Sequence, residues 1–450
     1  MPQYDIDISK VYSIPQEVQI INYENKIIVI APEYANWIVL NTLKQFRVFE
    51  CLKAGHSIQT ALNKYGFEEC DVKYVVTQIE AKKLCTKKIH SSTEKDRNMH
   101  LYLTNKCNLE CPHCYMFSGK ANANELTTEE ILNLISDYKN IAQGNIITLS
   151  GGEPTSHVHF DSIVKSASEM GLEVKIMTNG TQISPKRAAF LAKYVSSVQI
   201  SIDGYSEKSN SPIRGDGNFE KALTAVDLFL KYGVHTAIAI TPPIDCLREN
   251  FNGYVQFSQE LSEKYKNMPF EIRFAEELMK GRYINPTDSF KKEYFDLVHK
   301  IQQMLYGEDY DVLLFVEALY DNVILDNCMF GNFAVASNGD VFCCARIGDL
   351  RPIANVRTSS FDKIYKKAQI AEKLSLITNL KPCKECELRF ICGGGCRIEE
   401  FPELTQKTSF EGFDIDDVPP RFCNQKVKNK FYDLMIRSDR FFYSILEASK

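Results

Sequence analysis

Fifteen cysteines in 450 residues constrain this chain more than any other feature, because of where they sit. Three fall together at Cys107, Cys111 and Cys114, and eight more lie between Cys328 and Cys423. In a short secreted chain so many would be a disulfide framework for a core too small to stand alone. A chain of this length can bury a large core, and it predicts two or three domains. Met1 to Val11 have no basic segment followed by an apolar stretch, so no secretory signal is read. The expectation is a cytoplasmic chain whose grouped thiols bind a soft metal or iron–sulfur clusters. Cys51, Cys70, Cys85 and Cys246 lie outside the groups and are expected to be small buried hydrophobes. A net charge of −5 offers no global field for nucleic acid or anionic lipid. No apolar run of about 18 residues occurs, so no membrane span is expected.

The first 90 residues read as a small separate module. Apolar runs at 16–23 and 26–30 predict two strands joined at Glu24 and Asn25. Ile58, Ala61, Leu62 and Tyr65 then recur at helical spacing, between Ser57 as a cap and Gly66 as a stop. Val72, Val75, Val76 and Ile79 repeat the pattern in a second helix, with Asp71 as its cap. The polar stretch 91–98 reads as a linker. From 99 to 306, six apolar strands (100–104, 145–150, 172–178, 197–202, 235–240 and 270–274) alternate with amphipathic helices such as 128–141, 161–170, 185–194 and 219–232. This predicts an α/β fold with a parallel sheet, open or curled into a partial (β/α)6 barrel, and functional groups at the C-terminal strand ends. From 307 to 430 the chain is rich in cysteine and loops. A helix, 431–450, is expected to close it by packing on the body.

Cys107, Cys111 and Cys114 follow the first strand with C-x3-C-x2-C spacing. Three thiolates on a short loop can hold three irons of a cubane cluster and leave the fourth without a protein ligand. Cys111 and Cys114 could instead be half of a zinc site. The second strand ends in Ser150-Gly-Gly-Glu-Pro154, where glycines admit close backbone approach and Glu153 can accept from an ammonium. Thr178-Asn179-Gly180 ends the third strand, Ser201-Ile-Asp203-Gly204 the fourth, and an Arg-Gly-x-Gly-x-Phe segment runs from Arg214 to Phe219. The cysteine loop, with His113 and Tyr115 flanking Cys114, and the Gly-Gly-Glu-Pro turn resemble the signature of the radical S-adenosylmethionine (SAM) superfamily. The resemblance implies a 4Fe–4S cluster on the three cysteines, with SAM chelated through its amino and carboxylate groups. It implies a 5′-deoxyadenosyl radical as the hydrogen-abstracting species. It also implies SAM contacts from Tyr115, Gly151, Gly152, Glu153, Pro154 and Asn179, with Ser201 at the ribose and Arg214 at the carboxylate. A solvated loop charge is the alternative for Arg214.

Downstream, Cys383-x2-Cys386-x5-Cys392-x3-Cys396 is preceded by Cys328, Gly339 and Cys344 and followed by Cys423. Paired C-x2-C knuckles also suit two zinc ribbons. The array resembles the seven-cysteine SPASM domain, and the combined resemblance spans residues 99 to 430. It implies two auxiliary 4Fe–4S clusters, making three in all. Cys328, Cys344 and Cys396 would hold the nearer, and Cys383, Cys386, Cys392 and Cys423 the farther. Some relatives place a fourth ligand to the nearer cluster where this chain has Ala334. Cys343 adjoins Cys344 in what reads as a strand and should point to the opposite face, leaving one iron open to a substrate thiolate.

The strand–helix order of the first 90 residues resembles the PqqD-like domain, a winged-helix module that grips the leader of a ribosomal precursor peptide by strand addition. Winged helices also bind DNA, but residues 1–98 hold 13 Lys/Arg and 12 Asp/Glu, no basic footprint. The expected function is therefore a radical SAM/SPASM maturase that cross-links a precursor peptide through a thioether, with reduced flavodoxin or ferredoxin as electron donor. Carbon–carbon cross-linking, formylglycine formation of the anaerobic sulfatase-maturing kind and a non-enzymatic zinc adaptor are the alternatives.

Overall fold

The computed structural model describes residues 7–90, 97–320, 323–410 and 412–441. Most of the expected linker, 91–96, and the end of the expected terminal helix, 442–450, lie outside the described residues. The chain opens with an antiparallel meander, β1 (Gln19–Tyr23), β2 (Lys26–Ala31) and β3 (Asn36–Leu40). Glu24 and Asn25 both take positive φ (48° and 59°), the twist that a two-residue hairpin turn requires. Helices α1 (Leu43–Lys53), α2 (Ile58–Asn63) and α3 (Glu69–Ala81) follow. Ser57 caps α2 as expected, accepting from Thr60 N at 3.2 Å. Asp71 does not cap α3: the helix begins at Glu69, and Asp71 lies in its first turn, where its charge suits the helix dipole.

The module has a core of its own and also packs into that of the main body. Ile27, Val29, Ala31, Ile38 and Leu40 pack with Val48 and Phe49 in the module's own core. The alternate residues Ile28, Ile30, Trp37 and Val39 join the core of the main body. A strand buried on both faces must read as a continuous apolar run, which is what β2 shows.

After β4 (Ile89–His90), the main body alternates β5 (Asn98–Tyr102), α4 (Thr128–Ile141), β6 (Ile146–Ser150), α5 (Phe160–Glu169), β7 (Glu173–Thr178), α6 (Pro185–Leu191) and β8 (Val195–Ser201). It continues with α7 (Glu207–Arg214), α8 (Asn218–Lys231), β9 (His235–Ile240), α9 (Ile244–Lys264) and β10 (Phe270–Phe274). Among the described residues β5 to β10 are all parallel and lie side by side in chain order. That is the order of a (β/α)6 unit; a doubly wound sheet would reverse direction partway. It brings every strand's C-terminal end to one edge.

Next come α10 (Asp288–Tyr306), α11 (Tyr310–Tyr320) and β11 (Val323–Ile324), which pairs with β4. The cysteine-rich region then extends the main sheet. β12 (Ala334–Val335) pairs in parallel with β5, and β13 (Asp340–Phe342) and β14 (Ala354–Asn355) continue outward antiparallel. Helix α12 (Phe361–Leu374) follows, and a final helix, Gln425–Arg437, packs on the body through Tyr432, Leu434 and Met435. Of the cysteines outside the groups, Cys51 is buried and Cys85 and Cys246 are half-buried. Cys70 corrects the expectation: it is exposed, on the polar face of α3's first turn. No helix among the described residues is long and apolar enough to cross a membrane.

Candidate active site

A cavity of about 300 Å³ lies at the C-terminal ends of β5 to β10. The loop after β5 contributes Cys107, Cys111, Cys114 and Tyr115; β6 contributes Ser150, Gly151 and Gly152; β7 Thr178 and Asn179; β8 Ser201; and the segment after β10 Glu277 and Met279. Arg214, the last residue of α7, completes the wall.

Backbone contacts explain the paired glycines. Gly152 N donates to Thr104 O and Glu153 N to Lys106 O, both at 2.8 Å, so the turn after β6 lies directly on the chain entering the cysteine loop. A Cβ on Gly151 would lie 2.4 Å from Thr104 O, and one on Gly152 2.5 Å from Lys106 O. Gly151 also has φ +138°, which side chains rarely adopt.

Glu153, expected at SAM, is engaged by the protein itself. Its carboxylate is fully buried and accepts from Thr155 N (3.1 Å), Thr155 Oγ1 (2.5 Å), Thr178 Oγ1 (2.7 Å) and Asn179 N (2.7 Å). It fastens the end of β6 to the end of β7, and the Gly151 and Gly152 backbone lines the cavity instead. Pro154, likewise expected as a contact, is buried at the start of a 3₁₀ turn, Pro154–Ser156, away from the cavity wall. Asn179 does line the cavity, and its Nδ2 donates to Asn108 Oδ1 at 3.0 Å, tying β7 to the cysteine loop.

Asp203, read in the sequence only as part of a strand-end motif, is the hub. It is fully buried. Its Oδ2 accepts from Arg214 Nε at 2.5 Å and lies 3.1 Å from His113 Nε2, while Oδ1 accepts from Thr241 N at 2.9 Å. Burial opposes its charge, but the Arg214 guanidinium and His113 together hold its carboxyl well below the usual range. One carboxylate therefore orients Arg214 and grips the cysteine loop through His113. From the far side, Tyr283 N donates to Pro112 O at 2.8 Å and the Arg282 guanidinium to Ser118 O. A polar residue after a strand is a weak signal, and only folding brings α7 and the cysteine loop to it.

Cys328 and Cys396 lie close enough to Cys344 to act on its thiol. A second cavity, of about 20 Å³, is lined by Cys383, Cys386, Cys392 and Cys423. Cys343, next in the chain to Cys344, is buried, and burial pushes its thiol up to about 12. Ala334 is buried against Tyr102 and Phe342. Burial likewise pushes Cys107, Cys383 and Cys386 up to about 11. Grouped thiols that hold their protons so firmly become thiolates once a metal centre supplies compensating charge, which is the chemistry of an iron–sulfur donor set. The two regions communicate. Tyr102 OH donates to Ala345 O at 2.5 Å, and Arg346 reaches Glu277 of the cavity wall at 3.5 Å, Glu399 at 2.7 Å and Cys396 Sγ at 3.7 Å.

Residues 101–245 match the radical SAM superfamily and residues 327–387 an iron–sulfur cluster-binding domain, SPASM. With the strand-end cavity, these matches define the class: the protein is a radical SAM enzyme that uses SAM and iron–sulfur clusters. Its relatives include the mycofactocin maturase MftC of Mycobacterium ulcerans (strain Agy99), 29% identical over 71% of this chain and 85% of the relative. They also include the AdoMet-dependent heme synthase of Methanosarcina barkeri (strain Fusaro / DSM 804), 27% identical over 66% of this chain and 90% of the relative. Among solved structures, native anSMEcpe with bound AdoMet has the same fold, with a TM-score of 0.55 at 19% identity over 78% of this chain and 100% of that one.

Proposed function

We propose that this enzyme is a maturase that cross-links a ribosomally synthesised precursor peptide, joining a cysteine sulfur to a carbon of another residue. Cys107, Cys111 and Cys114 hold the SAM-binding cluster. Tyr115, Gly151, Gly152, Asn179, Ser201 and Arg214 frame SAM, with Arg214 aimed at its carboxylate by Asp203. Cys328, Cys344 and Cys396 hold the nearer auxiliary cluster, and Cys383, Cys386, Cys392 and Cys423 the farther. When bound, these groups supply a 5′-deoxyadenosyl radical that takes a hydrogen atom from carbon, a site for a substrate thiolate, and an acceptor for the electron released when carbon and sulfur join. Reduced flavodoxin or ferredoxin delivers the first electron.

The observation that carries the thioether reading is the full burial of Cys343 beside the half-buried Cys344. With Cys343 buried and Ala334 packed against Tyr102, the nearer group is Cys328, Cys344 and Cys396 in this reading, and a substrate thiol is the natural fourth ligand. Holding that sulfur beside the reacting carbon replaces a bimolecular encounter by a positioned one. Cys343→Ala is expected to keep cross-linking, read by mass spectrometry as loss of two hydrogens from the precursor together with loss of its free thiol. Exchanging the precursor's cysteine for serine should abolish the cross-link while 5′-deoxyadenosine still forms. A cross-link that survives the exchange would point to carbon–carbon bonding; a stalled Cys343→Ala enzyme would place Cys343 on the cluster. The relationship to a heme synthase favours a second reading, a tetrapyrrole substrate, which predicts that a porphyrin and not a peptide stimulates SAM cleavage.

The amino-terminal module supplies the peptide's grip. Among the described residues β1 is an edge strand paired only to β2, with Gln19 and Ile20 exposed, and its free edge suits strand addition. Adding precursor should slow backbone hydrogen exchange at residues 19–23. Unchanged exchange there, with protection elsewhere, would move leader recognition off the module.

A further inference from the structure

Arg397 is fully buried, and among the described residues its guanidinium donates to neutral backbone carbonyls. Nε donates to Ser375 O at 2.8 Å, Nη1 to Gly393 O at 2.9 Å and Gly395 O at 2.8 Å, and Nη2 to Asp326 O at 3.4 Å. Among the described residues no carboxylate forms an ion pair with it. The neighbouring Arg421 differs, with Glu400 at 3.1 Å. Carbonyl dipoles orient a guanidinium, but a buried cation without an anion carries an uncompensated desolvation cost. The carbonyls it bonds flank the cysteines: Gly393 follows Cys392, Gly395 precedes Cys396, and Asp326 stands two residues before Cys328. Cys328 and Cys396 belong to one cysteine group of the C-terminal region, and Cys392 to the other.

We infer that Arg397 is the shared counter-ion of both auxiliary clusters, a positioning residue that balances their thiolate charge and sets their reduction potentials. The inference rests on the cluster assignment proposed above. A cubane ligated by cysteine thiolates is anionic and gains a further negative charge on reduction. A fixed cation beside it favours the reduced form and raises the potential, since net charge and local electrostatics are among the levers that set it. Because Arg397 lies between the groups, its charge acts on both at once and eases electron passage between them. The segment Gly393 to Gly395 follows from this placement. All three glycines take positive φ (64°, 78° and 72°), and the carbonyls of Gly393 and Gly395 turn onto the guanidinium.

The test is a redox titration of anaerobically reconstituted enzyme, followed by electron paramagnetic resonance, comparing wild type with Arg397→Gln and Arg397→Lys. Gln should shift both auxiliary midpoints to more negative potential and leave the SAM-binding cluster unmoved; Lys, which keeps the charge, should shift them less. Unchanged auxiliary midpoints in Gln, or an equal shift in all three clusters, would overturn the inference. A second measurement covers a Gln variant that fails to fold: chelating the iron should destabilise wild type more than Arg397→Met, because only wild type then keeps a buried cation without its anions. Equal destabilisation would also overturn it. Wild-type protein without auxiliary iron would instead refute the cluster assignment, so the two failures are distinguishable.

Discussion

Replacing Cys107, Cys111 and Cys114 together with alanine is expected to abolish 5′-deoxyadenosine production under reductant, with about eight of about twelve irons retained, at four per cubane. The structure explains why so drastic a change should leave the protein folded. The loop is held through its backbone and through other side chains: Cys107 N donates to Gly119 O at 2.8 Å, Asn108 meets Asn179, Pro112 O accepts from Tyr283 N, and His113 meets Asp203. None of these anchors is a sulfur. Alanine therefore removes ligands without removing supports. The auxiliary cysteines lie in other elements and keep their own surroundings, so their iron should stay. Nucleoside release at the wild-type rate would place SAM cleavage elsewhere.

The second large effect is expected at Asp203. Asp203→Asn preserves the side chain's shape but leaves Arg214, 12% exposed, without its carboxylate. Breaking such a pair costs about 3–5 kcal/mol because a buried charge is left uncompensated. SAM binding should weaken in parallel, since Arg214 loses its orientation and the cysteine loop loses the anchor at His113. Calorimetric melting and a SAM titration check both. The pH dependence has a definite sign. Asp203's carboxyl is held below its unfolded value of about 4, so its contribution is fully present above that pH and is lost as pH falls toward the lower folded value. Wild-type stability should accordingly drop more steeply than that of the Asn variant below about pH 4. Parallel acid profiles would mean that the buried pair contributes nothing to folding.

How much was legible in the sequence depended on whether the signal was local. Helix α4 was expected at 128–141 and found there, because Thr127 and Glu130 form a reciprocal cap and an apolar stripe follows. β9 and β10 were bounded correctly for a similar reason: short apolar runs between turn residues need no distant partner to be recognised. β3 was missed, since the run Asn36–Leu40 follows a 3₁₀ turn, Pro32–Tyr34, and its burial depends on α3 and the main body. Asp71 was misplaced as a cap because the true start of α3, after Glu68, uses no side-chain cap at all. Cys70 was read as buried from its residue type, whereas helical phase turns it to solvent.

The candidate site divides in the same way. Sequence alone determined the cysteine spacing, the glycine turn after the second strand and their positions at strand ends, because thiolate ligation and close backbone approach demand particular residue types at short range. Tertiary structure alone decided what the charged groups do. Glu153 fastens two strand ends, with four donors from Thr155, Thr178 and Asn179. Asp203, Glu277, Arg346 and Arg397 gained their roles from neighbours that are often dozens or more residues away along the chain. A carboxylate or guanidinium carries no mark in the sequence of whether it will be buried, and with what counter-charge. That is settled only when the strands align their ends and the cysteine-rich region joins the same sheet through β12.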